Sequence, residues 1–435
     1  MKRQMMGALA AVLALGLGAC GGSGTSPEGD SSATTGAADN SGKTLTVWIM
    51  EGTNPDATTF FDSLETGFAE KTGASLDVQM VPWASAKDKF ATAMAGGTGP
   101  DVAEVGTTWT PEFAEAGALM DVTEQATDAG LNEGMVESLI EAGTYDGGLY
   151  GVPWYAGIRS VLYNKGIFAK AGIEKTPTSW AEFTDAIDKI KASQPDVIPF
   201  PVLGASEFAT YPFIWGAGGD IAQQKGDGWI STIDSPEARE GLTFLTELKT
   251  KHGASTPAAD TWNEKDALTA FQQGNVAMVV GGNWTPGTVE ENSPEVYEQL
   301  GAFPIPSKEG GPAGSFVGGS HLSIFEQSEN KDLAWQFVEM MTTGEFASKW
   351  GEESGFLPGQ VEALDKILAS GGELEVPFAT QMKEAGRTVP ATPSFAAIQG
   401  QKVVPTMMQA ILTGRASVDE ATATAAQTMN DSFSG

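Results

Sequence analysis

Three successive switches of hydrophobic period between Thr44 and Gly97 constrain the fold of this chain more than any other feature. From Thr44 to Ile49 every second residue is apolar, with Leu45, Val47 and Ile49 on one face, the period of a strand half buried in a sheet. Asn54-Pro55 then reads as a helix start, with Phe60, Phe61, Leu64 and Phe68 at helical spacing and Gly73 as its stop. Ser75 to Val81 alternates again through Leu76, Val78 and Met80, and a second helix from about Ser85 to Ala95 ends at Gly96-Gly97. Strands separated by helices return to the same edge of a sheet, so this rhythm predicts parallel strands covered by helices.

The rhythm resumes after Tyr163. Ser179-Trp180-Ala181-Glu182 reads as a capping box ahead of Phe183, Ile187 and Ile190, and Ser235-Pro236 opens a helix carrying Leu242, Leu245 and Leu248. Val276, Met278 and Val280 form a short alternating strand that runs into Gly281-Gly282-Asn283-Trp284, a sharp turn beside a large aromatic. Leu322 and Ile324 suggest a further strand, followed by a helix with Ala334, Phe337, Val338 and Met341 aligned. Val403, Val404, Met407, Met408, Ile411 and Leu412 keep a helical stripe, where the methionines read as core filling, and Ser417 to Glu420 caps the last helix.

The beginning of the chain carries a different message. Lys2 and Arg3 precede an apolar run from Met5 to Leu17, too short to span a bilayer, and Leu17-Gly18-Ala19-Cys20 has the leucine and small residues of a lipobox. Residues 1–19 are therefore expected to be a signal peptide, and Cys20, the sole cysteine, the site of lipid attachment. Residues 20–43 are mostly Gly, Ser, Thr, Ala, Asp and Asn, which predicts a disordered tether with a reach of ~25 Å. The remainder is long enough for two domains, and the 41% hydrophobic content of the whole chain suffices for large cores. A formal charge of −31 argues against nucleic acid and against adhesion to an anionic membrane surface.

Several segments, taken in order, resemble the extracellular solute-binding proteins of the maltose-binding type, which serve sugar importers of the ATP-binding-cassette class. They are Leu45-Thr46-Val47-Trp48, Gly96-Gly97-Thr98-Gly99-Pro100-Asp101-Val102, Phe113 to Leu119, Tyr150-Gly151-Val152-Pro153, Leu162-Tyr163-Asn164-Lys165, Thr178 to Phe183 and Gly318-Gly319-Ser320. The resemblance runs from Leu45 to about Gln427. Where the family pattern ahead of Tyr163 has a small residue, this chain has Tyr155. The resemblance implies an α/β, two-lobed periplasmic-binding-protein-like fold of type II, each lobe a mainly parallel sheet flanked by helices, with the ligand cleft between lobes. By analogy the crossings fall near Tyr155 to Gly157, Leu300 and Gly351. One lobe then comprises 44–155 and 301–350, the other 158–299 and 352–435. The implied partners are a small carbohydrate and the permease subunits of the importer, with the protein monomeric and held outside the membrane by lipid on Cys20.

Sugars are bound by stacking a ring face on an aromatic and by polar groups that take hydroxyls in pairs. Trp180 and Trp335 sit at buried-face helical spacing and read as core. Trp284 follows two glycines at a strand end, where ligand sites collect in α/β sheets, and it matches the family's stacking tryptophan. Thr108 and Trp109 occupy the stretch that resembles the family's first contact loop, and Glu51 follows the first strand at a position resembling one that bonds sugar hydroxyls. Tyr155 and Arg159 flank the first crossing, Glu207 and Phe208 lie in another loop resembling a contact loop, and Gly319 belongs to the Gly318-Gly319-Ser320 segment. His321 beside it reads more readily as structural. The Trp83, Thr107-to-Thr110 and Trp48-to-Pro55 stretches resemble members that take up chitobiose-like N-acetylated sugars.

With only His252 and His321, no histidine metal cluster or catalytic triad is evident, and Gly96 to Pro100 lacks the Lys and Ser/Thr of a phosphate loop. The expectation is a binding protein without catalysis, cofactor or metal. Two alternatives stay open: an exported carbohydrate-active enzyme, and the same fold holding a polyamine, a metal complex or a phosphorylated alcohol such as glycerol phosphate.

Overall fold

The computed structural model describes residues 40–51, 57–226 and 228–434. The expected leader, Cys20, most of the tether and Asn54-Pro55 lie outside the described residues. The tether was expected to reach Lys43, but the chain is tied into the fold from Asn40, whose side-chain amide donates to the Thr72 carbonyl, and Ser75 N–H donates to the Lys43 carbonyl.

The strands that organise the molecule are, in chain order, β1 (Thr44–Met50), β2 (Ser75–Val81), β3 (Val102–Gly106), β4 (Val152–Gly157), β5 (Arg159–Asn164), β6 (Met278–Gly282), β7 (Leu300–Phe303), β8 (Gly318–Ile324) and β9 (Leu357–Pro358). One sheet has the order β9-β4-β8-β3-β1-β2 and the other β6-β5-β7. The expected parallel pairing holds for β2, β1 and β3. It does not hold for the other strands of these two sheets: β8 runs against both β3 and β4, β9 against β4, and β6 and β7 against β5. The reason is directional. Strand β4 carries the chain from the first lobe into the second and β8 carries it back, so when the two lie side by side they must be antiparallel.

Helices cover the sheets as their periodicity requires. The helix Ala57–Thr72 buries Phe60, Phe61, Leu64 and Phe68 against Leu45, Val47 and Ile49 of β1, together with Phe337 and Val338 of the helix Lys331–Thr342. Each of these fully enclosed side chains stabilises the lobe by roughly 1.5–3 kcal/mol. In the second lobe Ser179 caps the helix Trp180–Ser193 by accepting from Glu182 N–H, and Phe183, Ile187 and Ile190 enter the core. The Glu182 carboxylate reaches back to Thr178 N–H at 2.7 Å. The stripe from Val403 to Leu412 is buried as a whole, and Ser417 and Glu420 close a reciprocal capping box.

Two crossings differ from their expected places. Leu300–Phe303 pairs with β5 in the second sheet, and Ile305, Ala313 and Phe316 remain in the second core, so the chain rejoins the first sheet only at Gly318. Gly351 lies inside the helix Gly344–Ser354, and Leu357–Pro358 still pairs with β4, which moves the third crossing past Pro358. A strand of four residues records its own period but not the sheet that receives it. The first crossing is the shortest: Ile158 alone separates β4 from β5.

Candidate ligand-binding cleft

Beside these crossings, residues of both lobes wall a cleft of about 930 Å³. The first lobe contributes Trp83, Tyr155, Gly319, Ser320 and the segment from Glu352 to Phe356; the second contributes Arg159, Phe208, Asn283, Trp284, Thr288 and Phe316. An adjoining space of about 900 Å³ shares Asn283, Gly287, Glu352, Gly355 and Phe356 and extends between the helices Gly344–Ser354 and Val361–Ser370.

Arg159, the first residue of β5, is 9% exposed and is enclosed by aromatic faces. Its guanidinium carbon lies 4.5 Å from the centre of Phe208, 5.2 Å from that of Trp284 and 5.9 Å from that of Phe316. Phe208 and Phe316 are themselves stacked, 4.6 Å apart and 14° from parallel. Arg159 Nε donates to Glu264 at 3.3 Å, and Ser206 Oγ donates to the other oxygen of that carboxylate at 2.9 Å. Glu264 thus fixes one edge of the guanidinium, a group that carries five N–H donors in one plane. Rings for stacking and a held planar donor are the pair of features that recognise a polyhydroxylated ring.

Trp284 sits where β6 ends, and its backbone begins the helix Thr285–Asn292 with Pro286 in the first turn. Its indole lies against the first crossing, because Gly157 has no side chain: a Cβ there would fall 2.6 Å from Trp284 Cζ3. Asn283 joins two crossings. Ile158 N–H donates to its Oδ1 at 2.9 Å and its Nδ2 donates to the Gly355 carbonyl at 2.8 Å. Gly319 is held to glycine for a similar reason, with φ 144° and a hypothetical Cβ 2.2 Å from the Tyr155 carbonyl oxygen.

Of the residues singled out in the sequence, Tyr155, Arg159, Phe208, Trp284 and Gly319 therefore line one cleft. The others do not line it. Thr108 lines a separate cavity with room for a single water, between Pro111 and Phe395. Trp109 packs edge-on against Trp83, 5.5 Å between ring centres. Glu207 is partly buried and accepts from Gln399 Nε2 at 2.6 Å; burial raises its pKa, opposed by that bond and by Arg159. Glu51 is exposed at the end of β1, its N–H donating to the Val81 carbonyl. His321 is structural: its Nε2 hydrogen can go only to the Leu139 carbonyl, so Nδ1 accepts from the Thr110 hydroxyl at 2.8 Å. Trp180 donates from Nε1 to the Pro306 carbonyl and stacks on Phe244, and Trp335 packs against the first core.

Asn283, Phe316 and Phe356 line the cleft without having been named as ligand-binding candidates, and Trp83 entered only through a stretch resembling chitobiose-type members. Trp83 follows the strand end Val81-Pro82, the same signal that drew attention to Trp284. Phe316 lies in a strand of two residues, Ser315–Phe316, and Phe356 in an irregular segment, both too short to show a period. The lining carries one cation, Arg159, against Glu290, Glu291, Glu352 and Glu353, a balance hostile to anionic ligands. Among the described residues no group of His, Cys, Asp and Glu is arranged to hold a metal ion, and no helix is long and apolar enough to cross a membrane.

Two α/β lobes, joined by three crossings and enclosing an aromatic cleft, define a solute-binding protein rather than a module that acts at a surface. The chain belongs to the bacterial extracellular solute-binding proteins, whose family model matches residues 51–345. It is 29% identical over 429 residues to the diacetylchitobiose binding protein DasA of Streptomyces coelicolor, covering 97% of this chain and 96% of that protein. Among solved structures, it is similar to the GacH receptor of Streptomyces glaucescens, solved unliganded and with acarbose (TM-score 0.75, 25% identity, 90% of this chain and 99% of that one). The sugar-binding protein MalE of Xanthomonas citri shares the fold at TM-score 0.79 and 22% identity, over 90% of this chain and 98% of that one. The fold is that of the type II periplasmic binding proteins.

Proposed function

We propose that this protein is the capture subunit of a sugar importer, holding a di- or oligosaccharide of the chitobiose type between its lobes and delivering it to membrane permease subunits. The observation that carries this reading is the enclosure of Arg159 by Phe208, Trp284 and Phe316 in a cleft shared by both lobes. Similarity to DasA along nearly the whole chain supports the N-acetylated sugar. The aromatic walls supply stacking faces, Arg159 and Asn283 supply donors, and the carboxylate-rich lining disfavours phosphorylated ligands. Lipid on Cys20 would hold the protein outside the cell membrane, raising its effective concentration at the permease without a strong contact. The protein is expected to act as a monomer and without catalysis.

A thermal-shift screen of the full chain against mono-, di- and trisaccharides tests this directly, since a ligand that binds only the folded state raises Tm. A rise confined to diacetylchitobiose and its longer homologues is the expected result. No shift with any sugar, or steady release of monosaccharide from the mixture, would overturn it.

A further inference from the structure

Strand β3 reads Val102-Ala103-Glu104-Val105-Gly106 and is buried at each position. Glu104 has no exposed surface, yet nothing about a strand interior calls for a carboxyl group. Its Oε2 accepts Met50 N–H at 2.7 Å, where β1 ends. Its Oε1 accepts the Tyr155 hydroxyl at 2.5 Å and the Ser320 hydroxyl at 2.6 Å, and those two oxygens are 3.0 Å apart. Tyr155 on β4 and Ser320 on β8 are register partners beside the first two crossings, and both line the cleft. One hidden carboxyl thus touches the end of β1 and two residues of the cleft floor.

The surroundings leave this group able to titrate near neutrality. Burial raises its pKa to about 7, against the opposing pull of the bonds from Ser320, Tyr155 and Met50. From β1 it faces a backbone amide, from β4 the Tyr155 phenol and from β8 the Ser320 hydroxyl, of which the phenol alone is titratable. His321, next along β8, turns instead to Thr110 and Leu139, and no charged neighbour contributes to the shift.

We propose that Glu104 sets the hydrogen-bond polarity of the cleft floor and so couples ligand affinity to pH. An ionised carboxylate can only accept, so Tyr155 and Ser320 both direct their hydrogens to it and keep their oxygens as acceptors. A protonated carboxyl instead donates to one of these hydroxyls, whose own hydrogen is then released from Glu104 and can be offered to a cleft ligand in place of the other hydroxyl 3.0 Å away. One proton, gained from or lost to solvent, converts a floor of two acceptors into one acceptor and one donor without moving a side chain. A ligand that presents N–H or O–H groups to this floor, such as an N-acetylated amino sugar, selects the ionised form and releases the proton on binding. Glu104 is in this sense a positioning residue for specificity, and the inference rests on the reading of the cleft as a sugar site.

The test is calorimetric titration of the full chain with diacetylchitobiose across the pH range, in buffers of different ionisation enthalpy. Affinity should rise about tenfold between about pH 5.5 and 8.5, the factor given by a one-unit difference in the carboxyl's pKa between free and liganded protein, with proton release near pH 7. Glu104→Gln should bind with a flat profile and release no proton. Ser320→Ala keeps the titrating carboxyl but removes one switching hydroxyl, so its pH dependence should shrink; this variant serves if Glu104→Gln fails to fold. A flat wild-type profile without proton release, or an unchanged profile in Glu104→Gln or in Ser320→Ala, would sink the proposal while leaving the sugar reading intact. Absence of binding at every pH would sink both.

Discussion

Trp284 and Phe356 stack across the two lobes, their ring centres 5.2 Å apart and their planes 17° from parallel. Trp284 comes from the end of β6 in the second sheet, whereas Phe356 immediately precedes β9 in the first. The contact therefore joins the lobes and covers an indole face of the kind that sugar rings use. Phe356 stands where a ligand's ring is expected to compete.

Substitution of the two rings should have opposite effects on binding. Trp284→Ala should lose roughly 2–4 kcal/mol of affinity while leaving the Tm of the unliganded protein within a few degrees. Phe356→Ala should strengthen binding by about 0.5–1.5 kcal/mol, the worth of the displaced aromatic pair. Calorimetry with diacetylchitobiose reads both; equal losses in the two variants would show that Phe356 belongs to the ligand's own contact surface.

Arg159 is expected to matter to the fold as well as to the ligand. Arg159→Ala would leave Glu264, 23% exposed at its side chain, without its cation. A stability loss of about 1–3 kcal/mol in urea unfolding is expected after allowance for solvent screening at that exposure. Arg159→Lys should recover most of the stability but little of the affinity, because an ammonium cannot present a planar fork of donors.

Two buried groups should pull stability in opposite directions with pH. His321, fully buried, has its pKa lowered from 6.5 to about 4 by burial, against the Leu139 bond. The unfolded chain takes up a proton below pH 6.5 that the folded chain refuses until about 4, so this residue makes stability fall as pH drops through that interval. Glu104, raised from 4.5 to about 7, does the reverse: its contribution is complete below 4.5 and is lost as pH rises toward 7. Between 4.5 and 6.5 the two slopes cancel. Relative to the wild type, Glu104→Gln should show stability declining with acidification from pH 6.5, and His321→Asn should show it declining with alkalinisation up to pH 7. Denaturant melts across this range check both slopes.

Glycine replacements at the crossings should separate folding from binding. Gly319→Ala forces a Cβ against the Tyr155 carbonyl at a positive φ, and a loss of about 2 kcal/mol or more is expected in thermal unfolding. Gly157→Ala meets the edge of the Trp284 ring, which can shift. Its effect should appear as weakened sugar binding with a smaller change in Tm.

Periodicity made the cores legible. The Phe60-to-Phe68 stripe, the Val403-to-Leu412 stripe and the caps at Ser179 and Ser417 all sit as their spacing demands. Trp284 was legible because a strand end with two glycines is a local signal. What escaped was information held between elements. Phe316 and Phe356 reach the cleft through crossings whose positions depend on which sheet accepts Leu300–Phe303 and Leu357–Pro358. Thr108 was placed by the loop's resemblance, but that loop meets the second lobe at Phe395 and so walls a different cavity. Glu104 did leave a trace, since a carboxylate within Val-Ala-Glu-Val contradicts the pattern of a buried strand, and such contradictions tend to mark function.

The near-continuous run from Val152 to Asn164, broken only at Ile158, has a mechanical consequence. It acts as an axle. Rotation of one lobe about it would displace Gly157 and Arg159, which flank Ile158, least. A solute held at Arg159 would keep its footing through such a rotation, and the swing would serve to close the cleft over it.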